Sequence, residues 1–234
     1  MKGNLYLIPT TLGENNFSEV IPPHIIEIIE KVDVFVVENI RTSRRYISSL
    51  KISKAIREIE FLELNKNTDI KEISGFLQII FEGKNMGLIS EAGCPAVADP
   101  GMELIRIAHM HKIKVVPLVG PSSILLALMA SGMNGQNFAF SGYLPIKNPQ
   151  RVNRIRFLEK RAMKENQAQI FMETPYRCGN LLEQIVQTCN SQTRLCIACD
   201  LTLKNESIET RTIAEWKKDL PDINKRLVIF VLGF

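Results

Sequence analysis

The residues best placed to do chemistry lie in Leu88-Ile-Ser-Glu-Ala-Gly-Cys-Pro-Ala-Val-Ala-Asp-Pro-Gly101. An apolar strand over 86–89 runs into a loop of small residues, and the loop runs into a helix start. Gly93 and Pro95 break the strand. The order predicts that Asp99 caps the next helix and that Pro100 fills its first turn. Small side chains let backbone N–H and C=O groups approach a ligand closely. In an open α/β sheet, the crevice beyond a strand's carboxyl end is where such a ligand sits. Two carboxylates, Glu38 and Glu173, also end apolar runs and could accept a proton there. Arg41, Lys147 and Arg177 could hold phosphates. The favoured reading of Glu38 is nonetheless a structural partner of Arg41.

Other chemistries find little support. No G-x-G-x-x-G follows the first strand, and no G-x-x-x-x-G-K-[ST] occurs, which argues against a nicotinamide site or a P-loop. His24 stands alone, and His109 and His111 are two apart, so they share no helix face. A Ser-His-Asp or Cys-His set is therefore unsupported, and no metal site is expected. The five cysteines are an odd count in a mid-sized chain, unlike a secreted disulfide framework. Cys196-Ile-Ala-Cys199 has C-x-x-C spacing but lies in an apolar run without a second pair, and reads as small buried residues.

Net charge is +4, too small by itself to assign a partner. Its distribution says more. From Lys147 to Lys164 there are seven basic residues against one acid, Glu159, and Arg41, Arg44 and Arg45 form a second cluster. These are either solvated helix faces or a phosphate-tracking surface. The longest apolar stretch, 124–130, is too short to span a bilayer, and the start lacks a secretory pattern. A cytoplasmic protein without membrane association is expected.

The elements that must position these residues alternate. Strands are predicted at 5–8, 33–38, 56–62, 86–90 and 113–118. Helices are predicted from Pro23 to 31, over 41–50, from a Thr68 or Asp69 cap to 81, and over 101–111. The third of these carries its apolar stripe on Ile73, Phe76, Leu77 and Ile80. The second half reads as an apolar helix ending near Gly132, strand 138–143, basic helix 149–164, strand 168–173, helix 176–189, strand 194–201, a short helix at 213–218 and a closing strand at 227–232. The fold class is therefore α/β, with two domains, 1–118 and 119–234, built on mostly parallel or mixed sheets.

Loops after successive strands carry small and polar residues: Pro9-Thr-Thr-Leu-Gly-Glu-Asn15, Glu38-Asn-Ile-Arg41, 91–101, Gly120-Pro-Ser-Ser123 and Glu173-Thr-Pro-Tyr-Arg177. Together with Val115-Val-Pro-Leu-Val-Gly-Pro-Ser122, Gly142-Tyr-Leu-Pro145 and Asp200-Leu-Thr202, in this order, they resemble the S-adenosylmethionine-dependent tetrapyrrole methylase superfamily. Within it the chain is most similar to the branch that methylates a cytidine ribose 2′-hydroxyl of small-subunit ribosomal RNA. The resemblance covers nearly the whole chain. It implies two α/β domains with the cofactor in a cleft between them, and a homodimer. It implies that Pro9, Gly93, Cys94, Pro95, Val97, Ala98 and Ser122 bind S-adenosylmethionine, joined by Met172, Glu173, Asp200, Leu201 and Thr202 from the second domain. Glu38 and Arg41 are then the candidate catalytic pair on the substrate side.

The departures fall on the substrate side. The branch reads Ala-Glu-Asp-Thr-Arg where this chain has Val37-Glu-Asn-Ile-Arg41, and Ser-Pro-His-Arg where it has Thr174-Pro-Tyr-Arg177. Its first loop reads Thr-Pro-Ile-Gly-Asn-Leu against Pro9-Thr-Thr-Leu-Gly-Glu14, and a His-rich stretch is replaced by Glu63-Leu-Asn-Lys66. The expected function is methyl transfer to ribosomal RNA. The alternatives are a methyltransferase of a tetrapyrrole or other small molecule, and a non-catalytic module that keeps the cofactor.

Overall fold

The computed structural model describes residues 2–14, 17–65 and 67–234. Asn15, which ends the first strand-end loop, and Lys66, which ends the 63–66 stretch, lie outside them. The chain divides into two compact units, Met1–Ser122 and Ser123–Phe234.

The first unit runs β1 (Asn4–Ile8), α1 (Phe17–Val20), α2 (His24–Ile29), β2 (Val34–Val37), α3 (Ile40–Ser49), β3 (Glu60–Glu63), α4 (Ile70–Phe76), α5 (Gln78–Phe81), β4 (Met86–Ile89), α6 (Met102–Met110) and β5 (Lys114–Pro117). The strands form one sheet in the order β3-β2-β4-β1-β5, every pair parallel. Every residue of β2 and β4 is buried, the continuous apolar run that a sheet covered on both faces demands. Ile25, Ile29 and Ile47 of α2 and α3 pack with Ile8, Phe35 and Val37 on one face. Phe76, Leu77, Leu104 and Ala108 of α4 to α6 pack with Leu5, Val36 and Leu88 on the other. Adjacent strands β1 and β4 thus send their chains to opposite faces, and a crevice opens beyond their carboxyl ends.

The second unit runs α7 (Ser123–Ser131), β6 (Phe138–Tyr143), α8 (Gln150–Glu165), β7 (Ala168–Glu173), α9 (Cys178–Thr188), β8 (Arg194–Cys199), β9 (Ser207–Thr212), α10 (Ile213–Trp216) and β10 (Val228–Gly233). Its sheet is mixed, in the order β6-β7-β10-β8-β9, with β6 parallel to β7 and the other pairs antiparallel. Ile155, Leu158 and Ala162 of α8 and Leu181, Leu182 and Ile185 of α9 cover Phe171, Leu195 and Phe230. Trp216 is buried there, and its Nε1 donates to the Leu195 carbonyl at 2.9 Å.

Several sequence expectations need correction. Residues 56–62 are not one strand: Ile56–Glu58 form a 3-10 turn and pairing starts at Glu60. The helix expected from 69 to 81 is two pieces with Leu77 at the joint, although its stripe of Ile73, Phe76, Leu77 and Ile80 is buried as read. Asp69 does cap it, accepting from the Lys71 N–H at 2.7 Å. Asp99 caps nothing. The cap of α6 is Gly101 at φ +133, a conformation that side-chain-bearing residues rarely adopt. β9 and α1 were not anticipated. β9 lies at the sheet edge and is largely polar, so no apolar alternation marks it.

Candidate functional site

In the first unit, three segments meet beyond β1 and β4. The first is the loop after β1. Pro9 is buried, and its carbonyl accepts from the Tyr46 hydroxyl at 3.0 Å. Thr10 N–H donates to the Gly93 carbonyl at 3.0 Å, and Thr10 Oγ1 to the Ser90 carbonyl at 3.3 Å. The second segment is the loop 90–101, where Ser90 Oγ donates to the same Gly93 carbonyl at 2.8 Å. The third is α3. Asn39 caps it, accepting from the N–H groups of Arg41 and Thr42 at 2.9 and 3.3 Å. Asparagine caps as well as aspartate, so the Asp-to-Asn departure noted in the sequence keeps this helix start. Thr42 Oγ1 then reaches Glu91 Oε1 at 2.7 Å. Tyr46 and Thr42 thereby stitch α3 to both loops. Between them lies a cavity of about 460 Å³, lined by Thr10, Thr42, Arg45, Tyr46, Ser90 and Glu91 among others.

The 90–101 loop carries backbone strain. Ala96 and Ala98 both sit at positive φ, +61 and +65. Left-handed backbone costs alanine on the order of 1 kcal/mol or more per residue, and such conformations concentrate at ligand clamps. Gly93 and Pro95 are buried; Val97 and Ala98 are exposed; Cys94 lies between and directs its Sγ to the Pro121 carbonyl at 3.4 Å. Gly120 packs so closely on Pro9 that a Cβ there would lie 2.3 Å from the proline ring, which joins the 119–122 segment to the first loop. Ser122 is half-buried and ends this unit. A loop of small residues with positive φ at Gly93, Ala96 and Ala98 fits the cofactor that the resemblance implies.

Electrostatics add an acidic corner. Burial, then the charge of Glu91, raises the Glu38 carboxyl above its ordinary range. Burial and the charges of Glu38 and Glu91 push Asp99 up to about 6. Asp99, rather than capping α6, is a half-buried carboxyl among carboxylates. No ion pair joins Glu38 to Arg41 among the described residues, and Arg41 is exposed. The structural pairing considered for them is therefore not formed.

The second unit holds the remaining candidates in two loops of its own. Glu173 ends β7 with its side chain fully buried; its Oε1 accepts from the Thr174 N–H at 2.7 Å and from Arg177 at 2.6 Å. Burial opposes ionisation, but those bonds outweigh it and hold the carboxyl below its usual range. Glu173 Oε2 is buried without a hydrogen-bond partner among the described residues. Met172, beside it on β7, is half-buried. Asp200 accepts from Arg226 Nε at 2.7 Å and from the Leu227 N–H at 3.0 Å. Asp200 and Thr202 take positive φ, +50 and +68, around buried Leu201. This loop repeats the spacing of the two strained alanines in the first unit. The cysteines are free, and burial raises the thiols of both Cys196 and Cys199. No cluster of three or more His, Cys, Asp or Glu able to hold a metal occurs among the described residues. No described helix is long and apolar enough to cross a membrane.

Sequence reasoning missed Thr42, Tyr46, Glu91 and Asp99 as members of the site. Glu91 and Asp99 lay inside the singled-out motif. Nothing local marks Thr42 or Tyr46, whose partners are 37 to 49 residues away.

A model of the tetrapyrrole (corrin/porphyrin) methylases matches residues 6–217. The ribosomal RNA small subunit methyltransferase I of Buchnera aphidicola subsp. Acyrthosiphon pisum (strain APS) is 31% identical over 236 residues, covering 99% of this chain and 79% of that one. The protein of the same name from Escherichia coli O157:H7 is 29% identical over 238 residues, covering 99% and 78%. Among solved structures, the methyltransferase CobJ superposes with a TM-score of 0.63 at 15% identity, covering 99% of this chain and 94% of that one. Cobalt precorrin-4 methyltransferase, CbiF, gives 0.61 at 15% identity, covering 98% and 94%. Those two likenesses concern the fold.

Proposed function

The chain belongs to the tetrapyrrole methylase family and is an S-adenosylmethionine-dependent methyltransferase; from that premise we propose that its acceptor is a cytidine ribose 2′-oxygen of small-subunit ribosomal RNA. The observation that carries the reading is the match, over 99% of this chain and 78–79% of theirs, to relatives named as ribosomal RNA small subunit methyltransferases. The homodimer rests on the family resemblance, and the cytoplasmic setting is proposed from the ribosomal RNA acceptor.

When bound, S-adenosylmethionine supplies the methyl group as a sulfonium electrophile. The chain has to align the acceptor and take its proton. The backbone of Gly93–Ala98, with Pro9 and Ser122, is assigned to holding the donor, and the strain at Ala96 and Ala98 supports that assignment. In the second unit, Glu173 Oε2 is an open buried acceptor, which supports a ligand donor at Met172–Glu173. Thr202, a β-branched residue at positive φ, gives the Asp200-Leu201-Thr202 turn the same kind of support as the two alanines. Glu38 and Asp99, both raised toward neutrality, are the groups able to accept the hydroxyl proton. Arg41, exposed in the first turn of α3, is assigned to an RNA phosphate.

Mass spectrometry of nuclease-digested small-subunit RNA, from cells with and without the gene, tests this. One 2′-O-methylcytidine should vanish on deletion and return on complementation. Persistence of every ribose methylation, with loss of a base-methylated nucleotide or of a methylated tetrapyrrole, would overturn the acceptor and leave the methyltransferase.

A further inference from the structure

We infer that the solvent-facing side of α8 is a docking surface for the RNA sugar–phosphate backbone, with Arg156, Lys160 and Lys164 taking phosphates beside the exposed ring of Phe157. The inference rests on the RNA reading above and names the surface that grips the RNA.

Seven cations between Lys147 and Lys164 do not by themselves make a surface. The fold sorts them. At about 100° per residue, Ile155, Leu158, Glu159 and Ala162 share the buried side of α8. Arg156, Lys160 and Lys164, at i, i+4 and i+8, fall on the opposite side, and all three are exposed. The remaining helix cations are engaged or turned aside. Arg161 pairs with Glu165 at 2.7 Å. Arg154 donates to Ser141 Oγ at 3.2 Å and lies over the Phe157 ring at 5.1 Å. Arg151 is half-buried. Arg156, Lys160 and Lys164 make no ion pair among the described residues.

The acids are gone from this face. Glu159, the one acid within 147–164, is turned inward and accepts from the Asn190 N–H and the Thr193 hydroxyl. Glu165 is taken by Arg161. The first turn of α8, which opens on Gln150, holds no acid and carries Arg151, which the helix dipole disfavours. Like charges at i, i+4 are also unfavourable on an isolated helix. A helix shaped only for solubility mixes both signs on its outer face. This one keeps an uncompensated row, and a polyanion would compensate it.

Spacing and flanks identify the polyanion. Each step of the row rises about 6 Å, so three cations span about 12 Å. A row of that length can meet several successive phosphates of one nucleic-acid strand. Phe157 is 47% exposed on one flank of the row and Met163 is 55% exposed on the other. An exposed ring beside a cation row suits stacking of an unpaired base. A helix lying on an anionic membrane needs its apolar residues joined in one stripe with cations at the edges. Here the cations are central and the apolar residues flank them.

The test is a salt titration of full-length protein with a small-subunit ribosomal RNA transcript. Arg156→Gln, Lys160→Gln and Lys164→Gln together should weaken binding at least tenfold at physiological salt. They should also reduce the slope of log affinity against log salt by about 2 to 3. Phe157→Ala should weaken binding several-fold with little change in slope. The pair Arg161→Gln and Glu165→Gln, which leaves net charge constant, should leave the slope alone. Unchanged affinity and slope in the folded triple variant, with S-adenosylmethionine binding intact, overturn the docking surface while the RNA reading stands. Failure of the unmodified protein to bind either the transcript or purified small ribosomal subunits overturns both. If the triple variant keeps RNA affinity but loses binding to phosphatidylglycerol vesicles, the face belongs to a membrane and the inference is wrong.

Discussion

Asp99 shows what a single residue contributes once its neighbours are known. Unfolded, its carboxyl releases a proton near 3.8; folded, burial and then Glu38 and Glu91 push it up to about 6. Between those values the folded state holds more protons than the unfolded one. Stability from this group therefore falls as pH rises from about 4 to about 6, and stays reduced above. Asp99→Asn removes the charge without changing the shape. Its melting midpoint should match that of the parent at pH 4 and exceed it at pH 8. Methyl transfer should fall at both. Thermal scans at pH 4, 6 and 8 check the first statement; an equal shift at all three would assign the effect to packing rather than charge.

α3 is the element that joins the substrate side together. Its start depends on Asn39, whose side chain satisfies two N–H groups that would otherwise lack intrahelical partners. Its inner face carries Thr42 to Glu91 and Tyr46 to Pro9. Asn39→Ala should cost about 1 kcal/mol in denaturant unfolding, and Asn39→Asp should cost nothing measurable. Because the cap sets the helix that presents Thr42 and Tyr46, the alanine variant should lose activity beyond its loss of stability. Full activity in a destabilised Asn39→Ala protein would separate the cap from the site.

At the scale of the whole molecule, the chain builds two cores on two sheets of different kind. The first, all parallel, opens a crevice beyond β1 and β4; the second, mixed, carries the basic face of α8. A donor bound to the folded chain alone stabilises it by mass action. At a hundredfold excess over its Kd, S-adenosylmethionine should add about 2.7 kcal/mol. Hydrogen exchange read by mass spectrometry should then slow in 90–101 and 119–122. Binding that leaves exchange in both segments unchanged would move the donor elsewhere.

The alternation of strands and helices was legible in the sequence because it follows from local apolar period: buried runs at 34–37 and 86–89, a helical stripe at 73–80. The strand-end loops were legible because small and turn-forming residues punctuate those runs. What local pattern could not carry was any choice settled by distant atoms. Asp99 lost the cap to Gly101, because the backbone there takes a positive φ. Edge strand β9, too polar to show a buried face, takes its structure from pairing with β8. Alanine has no preference for left-handed backbone, so the strain at Ala96 and Ala98 had no local sign. Glu159 counted as the acid of a basic stretch until folding turned it toward Asn190 and Thr193. The residue types that could do chemistry were determined by the sequence. Which of them share a cavity, a charge or a face was decided by tertiary structure, since those relations arise between side chains that only packing brings together.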